Sequence, residues 1–134
     1  MEFSLTSEQE MLIESARAFA EKELYPYESE VEASDEVRPE LVDQIRQRAI
    51  EKGFYAVNMP ESLGGGGLDC VSLSLVEREL GRANFALQYL VGRPSNILQA
   101  CVGEQRERYL FPCIRGEKTD CLAMTEPGAG SDLR

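Results

Sequence analysis

Apolar residues recur at helical spacing along most of the chain, in short blocks separated by proline, glycine and acidic stretches. Leu12, Ala16, Phe19 and Ala20 fall at i, i+4, i+7 and i+8, which predicts one buried stripe on a first helix. Thr6 with Gln9 three residues later has the pattern of a capping box, so the helix is expected to open there. Pro26 is expected to close it, because the residue before a proline is pushed away from helical geometry. The acidic residues 27–35 read as a short exposed helix or a loop. Pro39 suits the first position of a second long helix. Its apolar face is Leu41, Val42, Ile45, Ala49 and Ile50, with Arg46 and Arg48 on the other side, and Gly53 after Lys52 supplies a stop.

Residues 54–59 are apolar enough for a short strand or a buried connection, and their length leaves both open. The four consecutive glycines from Gly64 to Gly67 suggest a phosphate cradle, but no Lys-Ser or Lys-Thr follows and that reading fails. A structural turn and a contact with a ligand or another domain remain. A third helix is expected over residues 71–80, with Leu73, Val76 and Leu80 inward and Asp69 or Ser72 as cap. A fourth, over 85–91, must break at Gly92-Arg93-Pro94. Two short helices follow, over 95–101 and 104–109, and after Pro112 a polar turn at 115–118. The expected fold class is all-α, an antiparallel, bundle-like arrangement with short connections.

Composition adds limits. At 134 residues the chain makes one domain, small for an enzyme that handles a dinucleotide-sized cofactor. Its net charge of −10 argues against nucleic acid and anionic membranes as partners, and requires local basic residues such as Arg134 at any polyanionic ligand. No stretch reaches the ~18 apolar residues of a membrane span and no leader opens the chain, so a cytoplasmic location is expected. Cys70, Cys101, Cys113 and Cys121 lack the close pairing of a zinc or redox site and are expected to be free and mostly buried. With no histidine, Ser-His and Cys-His nucleophiles are excluded within these residues.

The chemistry concentrates at the C-terminal end. An apolar run, Cys121 to Met124, gives way to a turn in which Pro127 fixes φ while Gly128 and Gly130 free it. Thr125 and Ser131 place hydroxyls on either side, and the amides between them are barely shielded by side chains. Such a loop suits backbone N–H contact with a planar or anionic ligand. Thr125-Glu126-Pro127-Gly128-Ala129-Gly130-Ser131-Asp132 resembles the signature of the acyl-CoA dehydrogenase family of flavoproteins at all eight positions. Residues 104–116 and 3–9 are similar to the segments that precede the signature and open the domain in that family, as is Glu77-Arg78-Glu79-Leu80-Gly81-Arg82 to a helix end near its acyl pocket.

The resemblance implies a division into an N-terminal α-helical domain, residues 1–120, and the first strand of a β-domain with the flavin-binding signature, residues 121–134. It implies FAD as cofactor and an acyl-CoA as substrate, with Leu122, Met124, Thr125, Gly130 and Ser131 at the flavin and Ser131 also within reach of the coenzyme A part. Met124 and Thr125 would face the flavin ring system, and the family often carries an aromatic residue where Leu122 stands. The resemblance also implies that the catalytic glutamate belongs to a later helical domain. Glu126 is therefore read as fixing the turn, and no catalytic residue is assigned among these 134. An electron-transfer flavoprotein as acceptor and a homodimer or homotetramer are implied for a full-length member.

An unpaired apolar strand at the end is a liability in a finished domain, which leads to the expectation that the sequence is a fragment, inactive alone. Two alternatives accompany this reading. One is another flavin enzyme of the same architecture, an acyl-CoA oxidase or a flavin monooxygenase. The other is a helical interaction module that docks on a partner.

Overall fold

The Thr6 hydroxyl accepts the Gln9 N–H at 3.2 Å while the Gln9 side chain accepts the Thr6 N–H at 3.1 Å, so the capping box opens α1 (Ser7–Phe19) as its residues predict. The structure is a computed structural model and describes residues 4–92, 94–128 and 130. Ile13, Ala16 and Phe19 form the buried stripe of α1, and Leu12 packs partly buried beside them.

Pro26 does not stop the helical path. After Phe19 the chain widens into a π-helical turn, Ala20–Leu24, tightens into a 3-10 turn, Tyr25–Tyr27, and runs on as α2 (Glu28–Ser34), which buries Val31. A proline inside a helix removes one N–H and presses its ring against the carbonyl four residues earlier. The wider turn makes room for the ring, since the last N–H before the proline, that of Tyr25, reaches back five residues to Ala20. The same device recurs later. A π-helical turn, Arg106–Leu110, precedes Phe111-Pro112, the Phe111 N–H reaches Arg106, and the helical path continues through the proline.

Arg38 is extended, at φ −62° and ψ 145°, as a residue before proline must be, and α3 (Pro39–Glu51) begins at once. Leu41, Ile45 and Ala49 are buried, whereas Ile50 lies at the exposed edge of the expected face. Gly53, at φ +73°, ends the helix and turns the chain so that the Phe54 and Tyr55 N–H groups both bond to Ala49. Residues 54–59 settle as the buried connection rather than a strand, built of turns, with Ala56 at φ +57°.

The glycine run folds back onto this connection. Gly66, Gly67 and Leu68 donate to the carbonyls of Ala56, Met59 and Val57. A Cβ on Gly65 would lie 2.3 Å from the Met59 carbonyl oxygen. These amides are spent on the chain's own backbone, and the run is a structural turn.

Asp69 then caps α4 (Cys70–Leu80), accepting from the Val71 and Ser72 N–H groups and the Ser72 hydroxyl. The Ser72 hydroxyl foremost, then the two amides, holds the Asp69 carboxyl below the usual carboxylate range. Val76 and Leu80 are buried as expected and Leu73 is half-buried, while Ser72 and Glu79 share the inward face. α1 packs on α4, and the core runs from Ala16, Phe19 and Leu24 through Ile45, Met59 and Val76 to Leu87, Leu110 and Ile114. Asn84 caps the short α5 (Phe85–Gln88), residues 96–100 form a 3-10 turn rather than an α-helix, and α6 (Phe111–Ile114) completes the helices. The described residues contain no strand.

None of the four cysteines is in a disulfide, as expected, but they are not mostly buried. Cys113 alone is buried, Cys101 is half-buried, and Cys70 and Cys121 are exposed because one begins α4 and the other lies on the open C-terminal segment.

Candidate functional site

The C-terminal segment is fastened up to residue 120, and residues 121–125 beyond it are open. After α6, Gly116 takes φ +73°, which would strain any other residue, and a Cβ there would press on the Ile50 side chain at 2.8 Å where the chain passes α3. The N–H groups of Glu117 and Lys118 bond to the Pro112 carbonyl. Lys118 Nζ donates to the Arg108 carbonyl at 2.9 Å, the carbonyl that Pro112 cannot serve from four residues on. Arg46 of α3 donates to the Thr119 hydroxyl at 3.3 Å, and the Ser95 N–H donates to Asp120 Oδ2 at 3.2 Å.

Residues 121–125 then carry no regular secondary structure and make no backbone hydrogen bond to another described residue. Leu122 is 69% exposed and Met124 51%, and Thr125 and Glu126 are exposed too. Nothing lies within 4 Å of where a Cβ on Gly128 or Gly130 would stand. The expected site residues Leu122, Met124, Thr125 and Gly130 are thus displayed together on one short open segment. Ser131, Asp132 and Arg134 lie outside the described residues.

This donor set fits one wall of a flavin site. It offers two apolar side chains for a ring face, a hydroxyl, open N–H groups for a ring edge, and a glycine turn that admits close approach. It holds no acid or base built for proton transfer. Glu126 is exposed and makes no side-chain hydrogen bond to another described residue.

Among the described residues, the carboxyl with a large shift is elsewhere. Glu79 on α4, 3% exposed, accepts from Arg17 at 3.0 Å, Arg78 at 2.9 Å and Arg82 at 3.2 Å. The bond from Arg17 does most to lower its pKa, to about 2, against the opposing cost of burial. A carboxyl held ionised by three guanidinium groups joins α1 to α4 and is a poor proton carrier. The described residues bring no three His, Cys, Asp or Glu together as a metal site, and no helix among them is long and apolar enough to cross a membrane.

Sequence reasoning missed Asp120, Ser95 and Asn58. Asn58 Nδ2 donates to the Pro94 carbonyl at 2.7 Å and to Asn96 Oδ1 at 2.8 Å, fixing the loop that Asp120 grips from the other side. Only a polar residue just before an apolar run hinted at the Asp120 contact, and nothing local marked its partner 25 residues away.

Comparison with known proteins gives a consistent picture. Residues 6–117 match the family described as acyl-CoA dehydrogenase, N-terminal domain. The chain is 39% identical over 132 residues to the 3-(aryl)acrylate reductase of Clostridium sporogenes, covering 95% of this chain and 34% of that protein. It is 38% identical to the caffeyl-CoA reductase-Etf complex subunit CarC of Acetobacterium woodii, covering 94% and 34%. It is 32% identical to the mitochondrial short-chain specific acyl-CoA dehydrogenase of Bos taurus, covering 92% and 30%. Among solved structures, acyl-CoA dehydrogenase from Geobacillus kaustophilus superposes with a TM-score of 0.76 at 27% identity, covering 99% of this chain and 35% of that one. The chain therefore spans about a third of the length of the curated relatives it matches.

Proposed function

The chain belongs to the acyl-CoA dehydrogenase family, and from that membership we propose that residues 1–120 serve as the N-terminal helical domain, and residues 121–134 as the start of the flavin-binding β-domain, of an FAD-dependent oxidoreductase acting on the α and β carbons of an acyl-CoA thioester. The observation that carries the proposal is the open segment after Asp120, with Leu122, Met124, Thr125 and Gly130 unshielded at the end of a fastened helical domain. When bound, FAD supplies the hydride-accepting chemistry.

The chain's own residues provide binding and electrostatics. Leu122 and Met124 give apolar contact to a ring face. Thr125 offers its N–H and hydroxyl to a ring edge, where donors favour negative charge. Gly130 lets the backbone approach a pyrophosphate, and Ser131 is proposed to reach both cofactor and the coenzyme A part of the substrate. The general base is proposed to come from beyond these 134 residues. An electron-transfer flavoprotein partner is supported by the Acetobacterium relative, whose own name places it in a complex with Etf. A homodimer or homotetramer is the proposed assembly, to be read by light scattering.

A second reading is favoured by the names of two relatives. Both the 3-(aryl)acrylate reductase and the caffeyl-CoA reductase subunit are named for adding hydrogens to a conjugated double bond. The same site worked in that direction makes this chain part of a 2-enoyl reductase. Purified full-length flavoprotein assayed both ways decides between them. Dye reduction by saturated acyl-CoA supports the dehydrogenase, and oxidation of a reduced donor by an aryl-acrylyl thioester supports the reductase. Absence of bound flavin defeats both.

A further inference from the structure

We propose that Asp120 is a positioning residue for the flavin wall, fixing where segment 121–130 leaves the helical domain by holding loop 94–96. This rests on the flavin reading above and names a residue that the signature itself does not contain. Asp120 is half-buried and is the last fastened residue before the open segment. Its Oδ2 accepts the Ser95 N–H at 3.2 Å, a bond to a backbone group whose position no rotamer change alters.

The loop it holds is also bonded to the core. Asn58, half-buried on the connection behind α3, donates to both the Pro94 carbonyl and Asn96 Oδ1, and Gln99 adds a bond to Asn96 at 3.3 Å. Pro94 itself is fully buried. One residue earlier, Thr119 takes a bond from Arg46 of α3. Asp120 thus ties the departing chain to a loop immobilised on the core, five residues before Thr125. A loose exit there spreads the positions of the Thr125 N–H and hydroxyl, and hydrogen bonds to a ring edge tolerate only a few tenths of an ångström.

The test uses the full-length flavoprotein and removes the bond from each end. Asp120→Ala deletes the acceptor. Ser95→Pro deletes the donor N–H, along with the Ser95 hydroxyl, without forcing the backbone, since Ser95 sits at φ −66°, the value proline imposes. Each is expected to weaken FAD binding about tenfold, the size of one hydrogen bond to a charged group, and to shift the visible flavin spectrum. The double variant is expected to lose less than the sum of the two single losses, because the Ser95–Asp120 bond is removed by both. Asp120→Asn, which keeps an acceptor oxygen, is expected to restore most of the affinity and the spectrum.

Wild-type affinity and spectrum in Asp120→Ala overturn the proposal. So does a fall in the apoprotein melting temperature that accounts for the whole flavin loss, which would make Asp120 a residue for stability only. Thr125→Ala separates the two levels of the argument. If it perturbs the flavin spectrum while Asp120→Ala does not, the flavin wall stands and the positioning role fails. If the wild-type protein carries no flavin, the functional reading falls and this inference with it.

Discussion

Glu79 shows how a single side chain can join two helices and set the acid limit of the fold. Its carboxylate, 3% exposed, is shared among Arg17 of α1, Arg78 of α4 and Arg82 in the turn after α4, each arginine about half exposed. The folded pKa of about 2 lies below the ordinary 4.5, so the cluster's contribution is fully present above about pH 4.5 and is lost as pH falls toward 2. A shift of that size corresponds to at most roughly 3 kcal/mol, and solvent around the half-exposed arginines brings it nearer about 2 kcal/mol. Thermal melts are expected to show wild type losing stability steeply across that window, while Glu79→Gln starts lower at pH 7 and falls less. Glu79→Ala, which leaves three guanidinium groups facing one another, is expected to cost about 3 kcal/mol at pH 7. Equal acid sensitivity of wild type and Glu79→Gln would contradict this account. The sequence held a clue, because Glu79 falls on the stripe of Ser72, Val76 and Leu80, where a carboxylate signals a buried ion pair. The partner on α1 was not legible, since nothing local connects positions 17 and 79.

Elements followed their residues where the rule was local and departed where a proline had a neighbour able to yield. The capping box of α1, the proline start of α3 and the Asp69 cap of α4 all came out as the side chains dictate, because each rule acts within three residues. Pro26 broke the expectation. A π-helical turn before it makes room for the ring, and whether a helix widens or ends depends on the core that Leu24 and Val31 enter on either side. The glycine run was ambiguous for a similar reason, since four glycines permit a ligand loop and a tight turn equally. Its answer came from the carbonyls of residues 56–59 across the turn. That difference can be measured. Gly65→Ala drives a Cβ into the Met59 backbone and is expected to cost on the order of 1–3 kcal/mol by urea denaturation. Gly128→Ala, with open space around it, is expected to leave the midpoint unchanged. A tolerated Gly65→Ala would mean that the turn is not packed as described.

At the scale of the molecule, the helical domain has a well-filled interior and an apolar exterior that it does not cover. Phe85 is 75% exposed, Ile97 69%, Val102 65% and Leu122 69%, and Phe85 and Tyr89 stack against each other in the open with ring centroids 5.8 Å apart. Single exposed apolar residues are ordinary, and Met11 on α1 and Val71 on α4 are exposed as well, but this many large ones point to surface that a larger assembly would bury. The site is distributed in the same way: the segment from 121 onward supplies donors and apolar contact, while the proton-transfer group and the rest of the cofactor enclosure are proposed to lie beyond it. One wall gives little affinity, because a ligand of this size needs most of its surface enclosed before contact outweighs the cost of immobilising it. The 134-residue polypeptide expressed alone is therefore expected to show a helical circular dichroism spectrum, to bind an apolar dye, and to emerge with far less than one flavin per chain and no acyl-CoA-dependent dye reduction. Adding FAD in large excess is expected to leave its melting temperature nearly unchanged, since a ligand stabilises only in proportion to its occupancy of the folded state. A yellow, stoichiometric preparation with turnover would show that these residues enclose the cofactor and supply the base themselves, and the proposal of a single flavin wall would fail.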